Sequence, residues 1–153
     1  MRLGTILGGG PKLGKTTRER LLNNIPALAK LQDAIATKVA ATGTLVSLDG
    51  GTMQVRSGHT ALNTLLQSAG AIAFKWATVQ FVKLMEDSGY CWEYHYRIVA
   101  HVHDEIQVAC GPDIADIVGS MAVQSIVEAG KALGVRCPLD GEYKIGRNWA
   151  ETH

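Results

Sequence analysis

From about His59 to Asp87 the chain runs without proline and carries Leu62, Leu65, Leu66, Ala69, Ile72, Ala73, Trp76 and Val79 at three- and four-residue spacing. Such a run predicts one helix with an apolar face, roughly 40 Å long at 1.5 Å per residue. A helix of that length spans a whole small domain, so everything else must be arranged along it. Ser88 and Gly89 supply its stop.

The flanking segments have a different period. Thr44 to Arg56 alternates around Asp49, Gly50 and Gly51, which predicts a β-hairpin with a glycine-containing turn. Ile98–Val102 and Ile106–Cys110 are two short β-rich runs that bracket His103, Asp104 and Glu105, a second hairpin with its polar trio at the turn. Leu28, Leu31, Ile35 and Val39 place a helix up to about Ala41, interrupted at Pro26 and starting near Thr16. Ile114, Ile117, Val118, Met121, Ile126 and Val127 place another from about Pro112 to Leu133, followed by a short mixed tail from Cys137 to His153. Five glycines and a proline within residues 1–14 suit a loop or a broken helix end. The class is α+β, long helices packed on antiparallel β-hairpins, with no repeated strand-helix alternation.

At 153 residues and 46% hydrophobic content the chain can build a core. A formal net charge of +1 leaves no basic body for nucleic acid, so any such contact has to be local. Cys91, Cys110 and Cys137 lack paired or metal-like spacing and read as reduced thiols, small core residues in a cytosolic setting. No apolar run reaches about 18 residues and no signal-peptide layout opens the chain, which gives the expectation of a soluble, cytoplasmic protein without membrane contact.

Two motifs offer chemistry. Gly9, Gly14, Lys15 and Thr16 match G-x-x-x-x-G-K-[ST], the spacing of a loop that cradles phosphates at a helix N-terminus. Ile98–Asp104 would be its apolar strand ending in an acid, the pattern of a nucleoside triphosphatase. The context opposes this reading: Leu3 to Leu7 is broken by Gly4, Pro11 sits inside the loop, and hairpins follow where a parallel sheet needs strand-helix units. The second motif is Asp104 and Glu105 at the hairpin turn. Carboxylates on a rigid turn suit hard Mg2+, which takes oxygen donors and leaves room for substrate phosphates. Adjacent residues in extended chain face opposite ways, so one of the pair, Asp104, is the expected direct ligand.

The run R-I-V-A-H-V-H-D-E-I-Q-V-A-C at Arg97 to Cys110 resembles motif C of family A DNA polymerases, whose members include bacterial DNA polymerase I and replicative enzymes of short-tailed phages. A-L-N-T-L-L-Q-S-A-G at Ala61 to Gly70 looks like the family's helix that touches primer-template. The glycine hairpin at Ser47 to Ser57 and N-W-A-x-x-H at Asn148 to His153 look like the phage members. The four features stand in the family's order and extend over essentially the whole chain.

The resemblance implies a template-directed DNA polymerase, with Asp104 holding Mg2+ in a two-metal site and Glu105 as a second, supporting acid at the metal. His103 would sit near the primer end, and His153 near the active site. Asn63 and Gln67, four apart on one helix face, would contact the minor groove, where base pairs present acceptors at similar positions. Arg56 and His59 would touch the duplex. Lys12, Lys15, Arg18 and Arg20 form a basic run able to follow the DNA backbone. Residues 1–58 would derive from the fingers and 59–153 from the palm, a single C-terminal polymerase fragment. The family's other metal-binding aspartate and its nucleotide-binding helix lie upstream in family order, so the chain alone is expected to be inactive. It needs an N-terminal polymerase fragment as partner, besides primer-template DNA and deoxynucleoside triphosphates, and an exposed apolar surface is expected where that partner docks. A catalytically inert DNA-binding fragment is the alternative. For a phage protein the setting would be the host cytoplasm.

Overall fold

A computed structural model describes residues 2–153. The chain forms two compact units, one of residues up to Val46 together with Thr52–Leu65, the other of Ser47–Gly51 together with Leu66–His153.

The first unit opens with a short helix α1 (Arg2–Ile6), a glycine turn, and helices α2 (Pro11–Asn24) and α3 (Pro26–Thr42). Both α2 and α3 begin on proline, whose missing N–H falls where a helix has no acceptor for it. The α2 helix therefore starts at Pro11, five residues before the expected Thr16. Its start also disposes of the phosphate loop. A helix, not a strand, precedes the glycines, and Gly14 and Lys15 lie within the helix instead of at its entrance. α3 ends on Gly43 in the left-handed region at φ +66°, where its N–H closes on the Val39 carbonyl at 2.8 Å; a side chain there would be strained.

Strands β1 (Thr44–Val46) and β2 (Thr52–Gln54) pair antiparallel with Leu45 opposite Met53. The turn between them is held by Asp49, whose carboxylate accepts from the Ser47 hydroxyl and, at 3.2 Å, from the Gly51 N–H. Those bonds hold its carboxyl below the usual range. The unit's core is Ile35 and Val39 one turn apart on α3, Leu45, Val55 and Ala61. Leu31, expected on the same stripe, is 44% exposed.

Helix α4 (Ala61–Asp87) is the predicted long helix, continuous over 27 residues. Its buried residues differ from the expected face. Leu66, Trp76 and Val79 are exposed, whereas Ala77, Phe81 and Met85, a ladder at four-residue steps, are buried. The helix serves two cores in succession, Ala61, Leu62 and Leu65 in the first unit and Phe81 and Met85 in the second, so no single stripe is covered along its length.

In the second unit β3 (Tyr96–Val102) and β4 (Glu105–Cys110) form an antiparallel hairpin whose last pair is Val102 opposite Glu105. The register slips between Ile98 and Ala100, leaving Val99 as a bulge that is 62% exposed. Phe81, Met85, Tyr96, Ile114 and Val118 make the core, and the Phe81 and Tyr96 rings meet edge to face at 5.5 Å. Burying a side chain of Phe or Met size stabilises by about 1.5–3 kcal/mol each. Helix α5 (Ala115–Ala132) begins three residues later than Pro112, because Gly111–Ile114 closes a turn of its own first.

The tail beyond α5 is laid against α5 itself. Leu139 packs at Gly130, and the Tyr143 ring lies directly over Gly119, in space a Cβ would occupy, with its hydroxyl donating to Asp116 at 3.2 Å. A last turn of helix, α6 (Trp149–Thr152), ends the chain. The three cysteines are free, but Cys91 and Cys137 are exposed and only Cys110 is partly buried, so the core reading fails for two of them. Among the described residues no helix is long and apolar enough to cross a membrane.

Candidate functional site

With Val102 paired to Glu105, the β3-β4 turn contains only His103 and Asp104. Two-residue hairpin turns need positive φ because that twist matches the flanking strands. Here His103 supplies it, at φ +56°. A non-glycine residue in that region costs on the order of 1–2 kcal/mol, and such strain recurs at functional sites. The consequence is geometric: Asp104 is fixed at the tip of a rigid hairpin and exposed. Among the described residues its carboxylate joins no ion pair and accepts no hydrogen bond.

Glu105 is placed otherwise. It is the first residue of β4, not part of the turn, and is half-buried. One carboxylate oxygen accepts from the Gln107 amide and, at 3.0 Å, from the Trp149 indole N–H; the other meets the His153 ring at 3.1 Å. Gln107, His153 and Trp149 together hold its carboxyl below the usual range. Thr152 donates to Gln107 at 3.3 Å, so the last helical turn is fastened to the start of β4 at two points. The two neighbouring acids thus differ in availability: Asp104 has both oxygens open to a cation, and Glu105 has both engaged by the tail.

A hard cation bound mainly by water and substrate phosphate needs one or two protein carboxylates. Asp104 fits that role as it stands. Among the described residues no three His, Cys, Asp or Glu side chains converge into a metal cluster.

Asn63 and Gln67 are both exposed one turn apart on α4 and share a face. Arg56 follows β2 and is exposed. His59 is exposed in the turn entering α4, its N–H bonded to the Ser57 hydroxyl at 3.3 Å. Lys12, Lys15, Arg18 and Arg20 are exposed on α2. Residue-by-residue reading missed Gln107, Trp149 and Thr152. The signal was the spacing of Trp149, Thr152 and His153, which one helical turn brings to the same side.

The model of DNA polymerase family A matches residues 18–151. The DNA-directed DNA polymerases of Enterobacteria phage T3 and Escherichia phage T7 are each 36% identical to this chain over 99% of its length and 24% of theirs. DNA polymerase I of Aquifex aeolicus is 26% identical over 88% of this chain and 23% of its own. Among solved structures, the POL domain of Pol1 from M. smegmatis, in complex with DNA primer-template and dNTP, superposes with a TM-score of 0.71 at 16% identity. It covers 92% of this chain and 25% of that one. The chain spans about a quarter of the length of these relatives.

Proposed function

Since this chain belongs to DNA polymerase family A, we propose that it is the part of a template-directed DNA polymerase that contributes one metal-binding carboxylate and a set of primer-template contacts. The observation that carries the reading is Asp104, displayed on a two-residue turn with both oxygens open while Glu105 beside it is tied down. Asp104 is the Mg2+ ligand, and Glu105 acts next to it by fixing the tail against the hairpin. When bound, a pair of divalent cations activates the primer hydroxyl and stabilises the leaving pyrophosphate. His103 sets the turn and lies beside the primer end.

Asn63 and Gln67 donate to minor-groove acceptors common to all base pairs, which tests pair shape without reading sequence. Arg56 and His59 contact the duplex. Residues 1–58 serve as a fingers portion and 59–153 as a palm portion, with deoxynucleoside triphosphates and primer-template DNA as ligands in the host cytoplasm. One open carboxylate is too few for a two-metal centre, so the second aspartate comes from a polymerase segment outside residues 1–153. Alone, the chain binds primed DNA without extending it.

The test is complementation. The chain is mixed with the upstream three quarters of a phage relative and assayed for Mg2+-dependent primer extension, with Asp104→Asn beside wild type. Extension by wild type and its loss in Asp104→Asn support the reading. Equal extension by both, or none by any mixture that binds primed DNA, refutes it.

A further inference from the structure

Four of the chain's nine Phe, Trp and Tyr side chains fall within residues 90–96, the connection between α4 and β3. Connections are ordinarily built from Gly, Pro, Asn, Asp and Ser. The rings here divide into an anchor and a display. Tyr96 is buried and meets Phe81 edge to face, which fixes the segment to the core. Trp92 leans on Tyr96 at 5.5 Å and is still 40% exposed, and Tyr94 leans on the His95 ring at 4.8 Å and is 86% exposed.

The backbone beneath the displayed rings is locked. The Cys91 N–H donates to His95 Nδ1 at 2.8 Å, the His95 N–H returns to the Cys91 carbonyl at 3.0 Å, and the Glu93 N–H donates to the Tyr96 carbonyl at 2.8 Å. Glu93 sits at φ +64°, a left-handed conformation that a side chain disfavours. Strain of this kind persists where the surroundings over-determine it, and it collects at ligand contacts. Aromatic rings held in advance lose little freedom on binding, which is the property of an interface anchor.

Charge selects the partner. Glu86 is close enough to add to burial in raising the pKa of the Tyr96 hydroxyl. Glu86 and Glu93 are exposed, and among the described residues neither joins an ion pair. Arg97 is committed, its Nε donating to the Glu93 carbonyl at 3.3 Å. Residues 47–51 and 66–153 together carry seven Lys and Arg against twelve Asp and Glu, a field that repels polyanions and attracts cations. A guanidinium stacks on an aromatic face and forks to a carboxylate, so it uses both features at once.

We propose that residues 90–97 form a docking surface for an arginine-bearing segment of a protein partner. Trp92 and Tyr94 receive the guanidinium planes, and Glu86 and Glu93 accept their N–H groups. The full length of β3, roughly 20 Å at 3.3 Å per residue, separates this loop from the turn that carries Asp104. A short segment held here therefore leaves Asp104 uncovered, and the contact stands independently of the polymerase reading.

The test titrates the full chain, at low salt, into a fluorescein-labelled dodecapeptide of alternating arginine and glycine and follows anisotropy. Dodecapeptides of alternating lysine and glycine and of proline alone run beside it. The arginine peptide binds most tightly. Tyr94→Ala weakens it by about two- to fivefold, the worth of a cation over an exposed ring, and Tyr94→Phe, which keeps the ring, does not. Glu86→Gln/Glu93→Gln also weakens it, whereas Glu128→Gln/Glu142→Gln, which removes the same charge elsewhere, has no effect. Circular dichroism confirms that each variant is folded. No binding of the arginine peptide, wild-type affinity in Tyr94→Ala, or an equal loss in the two glutamine pairs overturns the proposal. Equal affinity for the lysine peptide overturns the guanidinium assignment, and preference for the proline peptide overturns the charge argument. Self-association seen by sedimentation and abolished by Tyr94→Ala overturns it in favour of a second copy.

Discussion

Adding one methyl group at Gly119 separates the tail from the rest of the second unit. The position is buried in α5, and a Cβ there would overlap the Tyr143 ring. Two magnitudes compete in Gly119→Ala. Alanine in a helix interior gains about 1 kcal/mol over glycine. Forcing an atom into a packed core costs about 1–3 kcal/mol if the neighbours cannot move. Tyr143 is 42% exposed on an extended segment, so its ring can swing outward, giving up its hydrogen bond to Asp116 and its seat on α5. The expected outcome is a thermal midpoint within about 4 °C of wild type, equivalent to about 1 kcal/mol at this size, together with a released tail. Release is read in two ways: the Trp149 indole N–H resonance moves toward its free position, and trypsin cleaves faster at Lys144 and Arg147. Ser120→Ala, on the exposed side of the same helix, changes neither. A stability loss of about 3 kcal/mol with an unmoved indole signal would refute the reasoning, because it would mean that the ring is trapped and the helix absorbs the strain.

Three further outcomes follow from the same geometry. The buried hydroxyl of Tyr96 has no partner among the described residues, and burial raises its pKa, so Tyr96→Phe should raise stability by about 1 kcal/mol; a fall in the unfolding midpoint would reveal a bond to that oxygen. His103→Gly relieves the positive φ and should stabilise the isolated chain by up to about 1 kcal/mol in chemical denaturation while slowing complemented extension, and a destabilised variant would show that His103 makes compensating contacts. Glu105 is bonded in its charged form and its folded pKa is depressed. The stabilisation is therefore complete above the unfolded value of about 4.3 and disappears as pH falls through the folded value. Acid titration should release the Trp149 indole only below about pH 4.3, and release on raising pH would contradict the sign.

Periodicity made much of this legible and failed where contacts decide. The long helix, both hairpins, the α+β class and the family resemblance were readable because apolar spacing and turn residues are local properties. The buried row of α4 was not, because Leu66, Trp76 and Val79 satisfy the same spacing as buried residues and only the existence of two cores leaves them outside. The Asp104 position was readable to within a residue, but the division of labour with Glu105 was hidden. Strand pairing moved Glu105 into β4, and its partners Trp149 and His153 stand 44 and 48 residues away. The three cysteines show the same limit, since composition predicts burial that only packing grants.

The two-residue turn leaves the hairpin no slack. One residue inserted between Val102 and Glu105 would carry Asp104 off the tip; one inserted within β4 would turn every following side chain to the opposite face. Variation at this point is therefore confined to exchange of side chains on a backbone of fixed length.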